Sequence, residues 1–255
     1  MSATPASVPT NVTVVDVTLP VPGQDHTARA WLVTGEDVGG SRAGVLWLHW
    51  LGHLRNDRGE FLSQAVELAS RGVVSLLPAG FFPWVPDPDG TAADVQRVRD
   101  QVAAHRAALD HLVAQPWLDT ARIAVVGHDY GGMYGALLAE ADERVSALAL
   151  QCVDAAWGNW FSAYWLGLEG EKRDDYLALF DGLDPVDHVG RLGDRMLFQW
   201  AGHDTFVGPE VVTAYAAANP KARSHHYESA EHILGDMATV DLMAFLDEML
   251  GLHPE

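Results

Sequence analysis

The sequence predicts an α/β protein with a doubly wound, mainly parallel β-sheet. Strand-like and helix-like segments alternate from Gly44 onward, which is the pattern of parallel strands joined by crossover helices. Several of the strand-like segments are continuous apolar runs, as expected for strands that are buried on both faces of a sheet. One such run, residues 123–126, passes directly through a tight, glycine-rich turn into a helix. Ligands of this kind of sheet bind beyond the carboxyl ends of the strands.

Two strand-like segments precede this alternation. Residues 12–19 alternate apolar and polar side chains, and residues 28–33 form a second such segment after a turn at residues 22–25. Strands joined by a short turn pair antiparallel, so we expect these two to form the leading edge of the sheet. The strands predicted after them are residues 44–50, 73–78, 123–126, 145–150, 196–200 and 224–227.

Apolar stripes at helical spacing predict the helices between these strands. Thr91 is a suitable N-cap for a helix that reaches about residue 115, because valines and leucines recur on one face of that segment. Residues 154–191 interrupt the alternation with an aromatic, helical-looking insertion. We interpret this insertion as a short cap on a single α/β domain that spans residues 1–255. The other predicted helices are residues 57–70, 209–217 and 236–250.

Composition limits the classes of partner. With 35 Asp and Glu against 16 Lys and Arg, the formal net charge is −19, which repels nucleic acid and anionic membrane surfaces. No stretch reaches membrane-spanning length, and residues 1–10 lack the features of a signal peptide, so a cytoplasmic location is expected. The single cysteine, Cys152, excludes an internal disulfide. The sequence leaves the oligomeric state open, with a homodimer among the compatible states.

The turn after residues 123–126 places an aspartate in a strained position. Asp129 lies between Gly127 and Gly131, in the segment Gly-His-Asp-Tyr-Gly-Gly. Glycines two positions before and after the central residue give room for an abrupt turn from strand to helix. The Asp129 side chain is then held above the sheet beside the helix N-terminus, where N–H groups and the helix dipole favour negative charge.

An acid and a histidine follow two later strands. Asp204 lies in the segment Gly-His-Asp-Thr-Phe-Val after residues 196–200, and His232 follows the last predicted strand. The elbow around Asp129 and the order nucleophile, acid, histidine resemble the α/β-hydrolase superfamily, whose usual elbow is Gly-x-Ser-x-Gly. The resemblance implies an α/β-hydrolase fold, with Asp129 as nucleophile, His232 as base and Asp204 as the acid that orients the base.

An aspartate nucleophile changes the chemistry that this fold supports. Attack of a carboxylate on a carbonyl gives a high-energy mixed anhydride, whereas attack on saturated carbon gives an ordinary alkyl ester. The Gly-His-Asp-x-Gly elbow is similar to that of epoxide hydrolases and haloalkane dehalogenases in the superfamily. This similarity implies hydrolysis of a small organic substrate through a covalent ester on Asp129, and epoxide opening is favoured over dehalogenation.

Two alternative functions stay open. The compact layout with a short insertion resembles dienelactone hydrolases and acyl-peptidase-like enzymes, which normally carry Ser or Cys at the elbow. That resemblance implies an esterase or lactonase in which Asp129 acts as a general base. The second alternative is a non-catalytic binding protein on a hydrolase scaffold, against which the presence of Asp204 and His232 argues.

The loop after residues 44–50 corresponds to the oxyanion segment of the superfamily. The resemblance implies backbone N–H donors at Trp50 or Leu51, acting together with that of Tyr130. No cofactor is implied. No metal site is predicted either, because His49 and His53 lack a third ligand at a recognisable spacing.

Several aromatic residues and histidines are candidates for substrate contact. Tyrosines of the insertion would protonate the oxygen of an opening epoxide, and tryptophan N–H groups would bind a halide. These roles follow from the chemistry of the two substrate classes and from the superfamily resemblance. The candidate substrate-binding residues are His49, Trp84, His128, Trp157, Trp160, Tyr164 and Tyr176.

Overall fold

An eight-stranded sheet forms the centre of the protein, as the sequence predicts. A computed structural model describes residues 8–21, 23, 25, 27–36, 40–50, 58–80 and 87–252. The strands are β1 (Val12–Pro20), β2 (Thr27–Gly35), β3 (Arg42–Leu48), β4 (Val74–Pro78), β5 (Leu118–His128), β6 (Ala147–Gln151), β7 (Met196–Ala201) and β8 (Arg223–Tyr227).

The strand order is β1-β2-β4-β3-β5-β6-β7-β8. β1 pairs antiparallel with β2 and β2 antiparallel with β4, whereas all further neighbours are parallel. The predicted antiparallel edge and mainly parallel sheet are therefore confirmed. β5 begins at Leu118 rather than at residue 123, because the Arg42 N–H donates to the Trp117 carbonyl at 2.9 Å and Arg42 pairs with Leu118.

Seven α-helices lie among the described residues, and most agree with the predicted ranges. The Thr91 hydroxyl accepts the Ala93 N–H, which confirms Thr91 as an N-cap. The first helix begins at Leu62 because residues 58–61 form turns, and residue 57 lies outside the described residues. The helices are α1 (Leu62–Ser70), α2 (Ala92–Val113), α3 (Tyr130–Ala141), α4 (Trp157–Phe161), α5 (Gly170–Ala178), α6 (Pro209–Ala218) and α7 (Asp236–Leu250).

Apolar side chains on the two faces of the sheet build two separate cores. On β3, Leu46 and Leu48 join the core that contains α2 and α3, whereas Trp47 faces the core beneath α1 and α7. Successive strand residues point to opposite faces, which explains why β3 reads as a continuous apolar run. A sheet covered on both sides leaves the carboxyl ends of its parallel strands as the place for a site.

The insertion predicted at residues 154–191 is helical. It contains α4, a π-helical turn at Ser162–Leu166, α5 and a 3₁₀ turn at Pro185–His188. Trp157 packs against Tyr134 of α3 with ring centroids 4.6 Å apart, which joins the insertion to the helix that follows Asp129. Among the described residues, no helix combines the length and the apolarity needed to cross a membrane.

Candidate active site

Asp129 occupies a strained turn between β5 and α3. Its φ is 51° and its ψ is −121°, a conformation that non-glycine residues rarely adopt. The Asp129 N–H donates to the Gln151 carbonyl at 2.9 Å, and its carbonyl accepts the Met133 N–H at 3.0 Å. The backbone is therefore fixed from both sides, and the buried carboxyl group is held at the carboxyl end of β5.

The glycines around Asp129 let three backbone segments meet. A Cβ at Gly131 would overlap the Leu48 carbonyl, and a Cβ at Gly127 would lie 2.6 Å from backbone atoms of Gly131 and Gly132. Neighbouring backbone therefore occupies the positions where a side chain would begin, which explains why the elbow needs glycine at these two positions. Gly135, one turn later in α3, differs, because a Cβ there would meet its nearest neighbour at 3.4 Å, an ordinary contact.

This contrast gives a matched pair of substitutions. We expect Gly131→Ala to destabilise the protein by about 3 kcal/mol, because the new methyl group overlaps backbone that cannot move aside cheaply. Gly135→Ala serves as the control and is expected to be neutral or to stabilise by up to about 1 kcal/mol, since alanine is the better helix former. Urea unfolding of both variants measures the difference, and equal stabilities would contradict the close approach at the elbow.

His232 and Asp204 lie beside Asp129, each after a strand of the same sheet edge. The two carboxylate oxygens of Asp204 lie 2.9 and 3.1 Å from His232 Nδ1. An acceptor at Nδ1 fixes the tautomer, so that Nδ1 carries the proton and Nε2 keeps its basic lone pair. Nε2 lies 4.0 Å from Asp129 Oδ1, which is beyond hydrogen-bond distance.

The Asp204 carboxylate is held by backbone as well as by His232. Its Oδ1 accepts the N–H groups of Phe206 at 2.8 Å and Val207 at 3.0 Å. Burial alone would raise the pKa of Asp204, but the hydrogen bonds and the interaction with His232 outweigh it, and the pKa is lowered. Asp204 is therefore anionic at neutral pH and suited to orient His232.

The buried His128 and the partly buried Trp50 form a cluster with Glu60, a residue that precedes α1. The Glu60 carboxylate lies 2.5 Å from His128 Nδ1 and accepts the Trp50 N–H at 2.7 Å. The His128 ring packs against that of His232 with centroids 5.0 Å apart. The Trp50 N–H, predicted as an oxyanion donor, is thus bonded to Glu60 in this conformation, and His128 lies beneath His232 rather than in a substrate cavity.

One group within the described residues has metal-ligand spacing. Potential ligand atoms of His128, Cys152 and His232 all lie within 4.8 Å of one another. Both ring nitrogens of His128 already face acceptors, namely Glu60 and the His232 carbonyl oxygen. A ring that donates to acceptors on both sides has no lone pair to give a metal, so His128 does not suit a metal ligand in this arrangement.

A cavity of about 600 Å³ lies between the insertion and α6. Trp160, Tyr164 and Phe206 supply aromatic walls, and Asp154, which follows β6, lines the cavity as well. Phe206 also packs edge-on against the His232 ring at 4.9 Å, whereas His232 and Asp129 do not line the cavity themselves. Burial raises the pKa of Asp154 to about 6, with a further contribution from the nearby charge of Asp129.

Three predicted substrate contacts lie elsewhere. Trp157 is fully buried and donates its indole N–H to the Leu183 carbonyl, and the Tyr176 hydroxyl donates to Asp94. His49 is buried and accepts the Gly80 N–H at Nε2. These side chains support the packing of the loops and the insertion, in contrast to the prediction of substrate contact. Leu51, His53 and Trp84 lie outside the described residues.

Glu60 and Asp154 are site residues that the sequence interpretation missed. Glu60 lies far from the elbow in the chain and in no motif, so nothing in the sequence signals its contact with His128. Asp154 had a signal, because it follows the 145–150 strand at the carboxyl edge where ligands bind. The sequence pattern makes it the first residue of the insertion, whereas in the structure it lines the cavity.

An elbow after β5, an acid after β7 and a histidine after β8 define an α/β hydrolase by fold. Sequence comparison gives the family, because the model of the prolyl oligopeptidase family matches residues 92–252. The chain belongs to this family, and the match includes Asp129, Asp204 and His232. No curated protein matched the sequence.

Solved structures support the same fold. The acetyl xylan esterase of Paenibacillus sp. R4 superposes with a TM-score of 0.78 at 17% identity, covering 97% of this chain and 87% of the esterase. A protein described as a dienelactone hydrolase from Klebsiella pneumoniae gives 0.63 at 13% identity, covering 94% of this chain and 100% of the other.

A prolyl endopeptidase structure gives a TM-score of 0.71 at 19% identity over 95% of this chain. The chain spans about two fifths of the length of that endopeptidase, of which 39% is covered. At these identities the likenesses establish the fold, including the predicted dienelactone-hydrolase-like layout.

Proposed function

We propose that the protein is a hydrolase that forms a covalent alkyl ester on Asp129, with epoxides as the favoured substrate class. The observation that carries this proposal is the position of a carboxylate at the strained elbow, opposite a histidine that is already oriented by Asp204. The elbow of the α/β-hydrolase fold normally presents a serine at this point. A carboxylate there favours attack on saturated carbon, because attack on an acyl group would give a mixed anhydride.

In the first step an Asp129 carboxylate oxygen attacks a saturated carbon of the substrate. The new C–O bond forms as the bond from that carbon to the leaving group breaks, and the electron pair goes to the epoxide oxygen or to the halide. The buried turn holds the carboxylate in one orientation, which lowers the entropic cost of in-line attack.

In the second step water attacks the carbonyl carbon of the Asp129 ester. His232 Nε2 accepts the proton of this water while Asp204 stabilises the resulting imidazolium. Because Nε2 and Asp129 Oδ1 are 4.0 Å apart and share no hydrogen bond, the Nε2 lone pair can accept the proton of the attacking water. The tetrahedral oxygen forms beside the N-terminus of α3, where we assign the Tyr130 N–H as a donor. On collapse the C–O bond to the substrate breaks and the His232 imidazolium protonates the departing alkoxide, which leaves as the alcohol. The Asp129 carboxyl group then loses its remaining proton to solvent, which restores the carboxylate.

Acidic groups at the cavity support epoxides as the favoured substrate class. An opening epoxide needs a proton donor, and the Asp154 carboxyl lines the cavity, as does Tyr164, whose hydroxyl donates to the Phe206 carbonyl at 3.2 Å in this conformation. A pKa of about 6 keeps part of the Asp154 population protonated near neutral pH. A halide needs N–H donors instead. The Trp157 indole N–H is already used by Leu183, whereas Trp160 lines the cavity, so dehalogenation stays the second candidate.

Oxygen-isotope labelling under single-turnover conditions tests the covalent step. With enzyme in excess over styrene oxide in H₂¹⁸O, we expect the diol to leave unlabelled and the Asp129 peptide to gain the label. The peptide that contains Asp154 serves as the unlabelled control. Label in the diol of the first turnover, with none on Asp129, would contradict a covalent ester.

Family membership favours one alternative, an esterase in which Asp129 is a general base. Such an enzyme would activate water directly, and the label would enter the acid product of p-nitrophenyl acetate without passing through Asp129. The same labelling experiment with this ester therefore separates the two functions. A purely binding protein would give no product from either compound.

A further inference from the structure

Glu60 and His128 form a partly buried pair that joins the turn before α1 to the end of β5. His128 is the last residue of β5, directly before Asp129, and its side chain is 2% exposed. The Glu60 carboxylate lies 2.5 Å from His128 Nδ1 and accepts the Trp50 N–H. Neither side chain takes part in the two chemical steps described above.

Both ring nitrogens of His128 face acceptors. Nδ1 faces Glu60, and Nε2 lies 3.1 Å from the carbonyl oxygen of His232. A carbonyl oxygen accepts but does not donate, so Nε2 carries a proton. The other carboxylate oxygen of Glu60 accepts the Trp50 N–H, so Glu60 is held with Oε1 facing Nδ1 as an acceptor.

The surroundings of His128 favour an imidazolium ion. The indole of Trp50 stacks on the ring with centroids 5.7 Å apart and an interplanar angle of 10°. Cys152 approaches from the end of β6, and His232 from the loop after β8. Burial lowers the pKa of His128, but Glu60 and a smaller contribution from Cys152 outweigh it, and the pKa is raised well above its ordinary value.

We propose that Glu60 and His128 are a carboxylate–imidazolium pair that positions His232 for hydrolysis of the ester. The His128 imidazolium donates from Nε2 to the carbonyl oxygen of His232 and so holds the backbone of that residue. Glu60 accepts the Trp50 N–H and so holds the backbone that follows β3. Both are positioning residues, because neither touches the reacting atoms. The kinetic part of this inference rests on the proposed function, whereas the charge state of His128 does not.

Nitrogen NMR tests the charge state without a substrate. In long-range ¹H–¹⁵N spectra at about pH 8, above the ordinary histidine pKa of about 6.5, we expect both His128 nitrogens to be protonated. The resonance is assigned by its absence in His128→Gln. In Glu60→Gln the ring should become a neutral tautomer, whereas Glu67→Gln, at an exposed position of α1, should leave it unchanged. A neutral His128 in the wild-type protein would overturn the pair.

Single-turnover kinetics with styrene oxide test the positioning role. Glu60→Gln should slow hydrolysis of the Asp129 ester by about 10-fold to 100-fold, a typical effect of misplacing a catalytic group. Formation of the ester should change little, and Glu67→Gln should match the wild-type protein in both steps. Equal slowing of both steps would overturn the positioning role. If the proposed function is wrong, the wild-type protein will form no ester on Asp129. The nitrogen spectrum still shows in that case whether His128 is an imidazolium.

Discussion

Asp129→Asn is expected to lower kcat/KM toward an epoxide by about 10³-fold or more, because an amide cannot attack carbon and no other group replaces the nucleophile. Asparagine has nearly the same shape as aspartate, so the turn between β5 and α3 should persist. The measurement is the steady-state rate of styrene oxide hydrolysis, with thermal unfolding as a check on folding.

The control for this substitution is Asp194→Asn, which makes the same chemical change at an exposed position of the 3₁₀ turn Gly193–Arg195. It should retain wild-type activity. An Asp129→Asn variant that keeps more than a tenth of wild-type activity would contradict Asp129 as the nucleophile. The nucleophile would then be another residue, or hydrolysis would depend on the acidic groups of the cavity, Asp154 and Tyr164, alone.

His232→Gln is expected to separate the two steps. The Asp129 carboxylate still forms the ester, but water is no longer activated, so kcat should fall by about 10³-fold or more while one equivalent of substrate is consumed rapidly. Rapid-quench measurement of styrene oxide consumed per enzyme gives this stoichiometry.

His226→Gln is the matched control, because His226 is an exposed histidine on β8. It should turn over continuously. A His232→Gln variant that consumes no substrate would mean that His232 is needed for the first step, which is the behaviour of a general-base pathway rather than of a covalent one.

The positions that chemistry requires were largely predictable from sequence. The glycines around Asp129 predicted a strained turn, and its φ of 51° confirms that strain. Asp204 and His232 were predicted from strand-end positions and chain order, and the structure brings their side chains within hydrogen-bond distance. Backbone conformation and strand order leave local signatures, which explains this agreement.

Side-chain partnerships across the fold were not predictable in the same way. Trp157 and Trp160 have helical spacing and the same chemistry, yet Trp157 packs into the core and Trp160 lines the cavity. The different surroundings of the two tryptophans depend on which elements of the fold pack against each side of α4. The contact of Glu60 with His128 depends likewise on how the turn before α1 meets the end of β5, for which the sequence contains no short-range signal.

The pairing of Glu60 with Trp50 also changes the expected oxyanion site. The sequence interpretation assigned two backbone donors, one from the loop after β3 and one from Tyr130. In the structure the Trp50 N–H is bonded to the Glu60 carboxylate, and Leu51 lies outside the described residues. Tyr130 at the start of α3 therefore stays the predicted donor for the second step.

Intact-protein mass spectrometry of His232→Gln after incubation with styrene oxide tests the central claim most directly. The account predicts a mass gain equal to one whole epoxide molecule, located by peptide analysis at Asp129 and absent from the His232→Gln, Asp129→Asn double variant. A gain that persists in the double variant would place the adduct on another residue. No gain, together with continued hydrolysis of p-nitrophenyl acetate by the wild-type protein, would contradict the covalent aspartate mechanism.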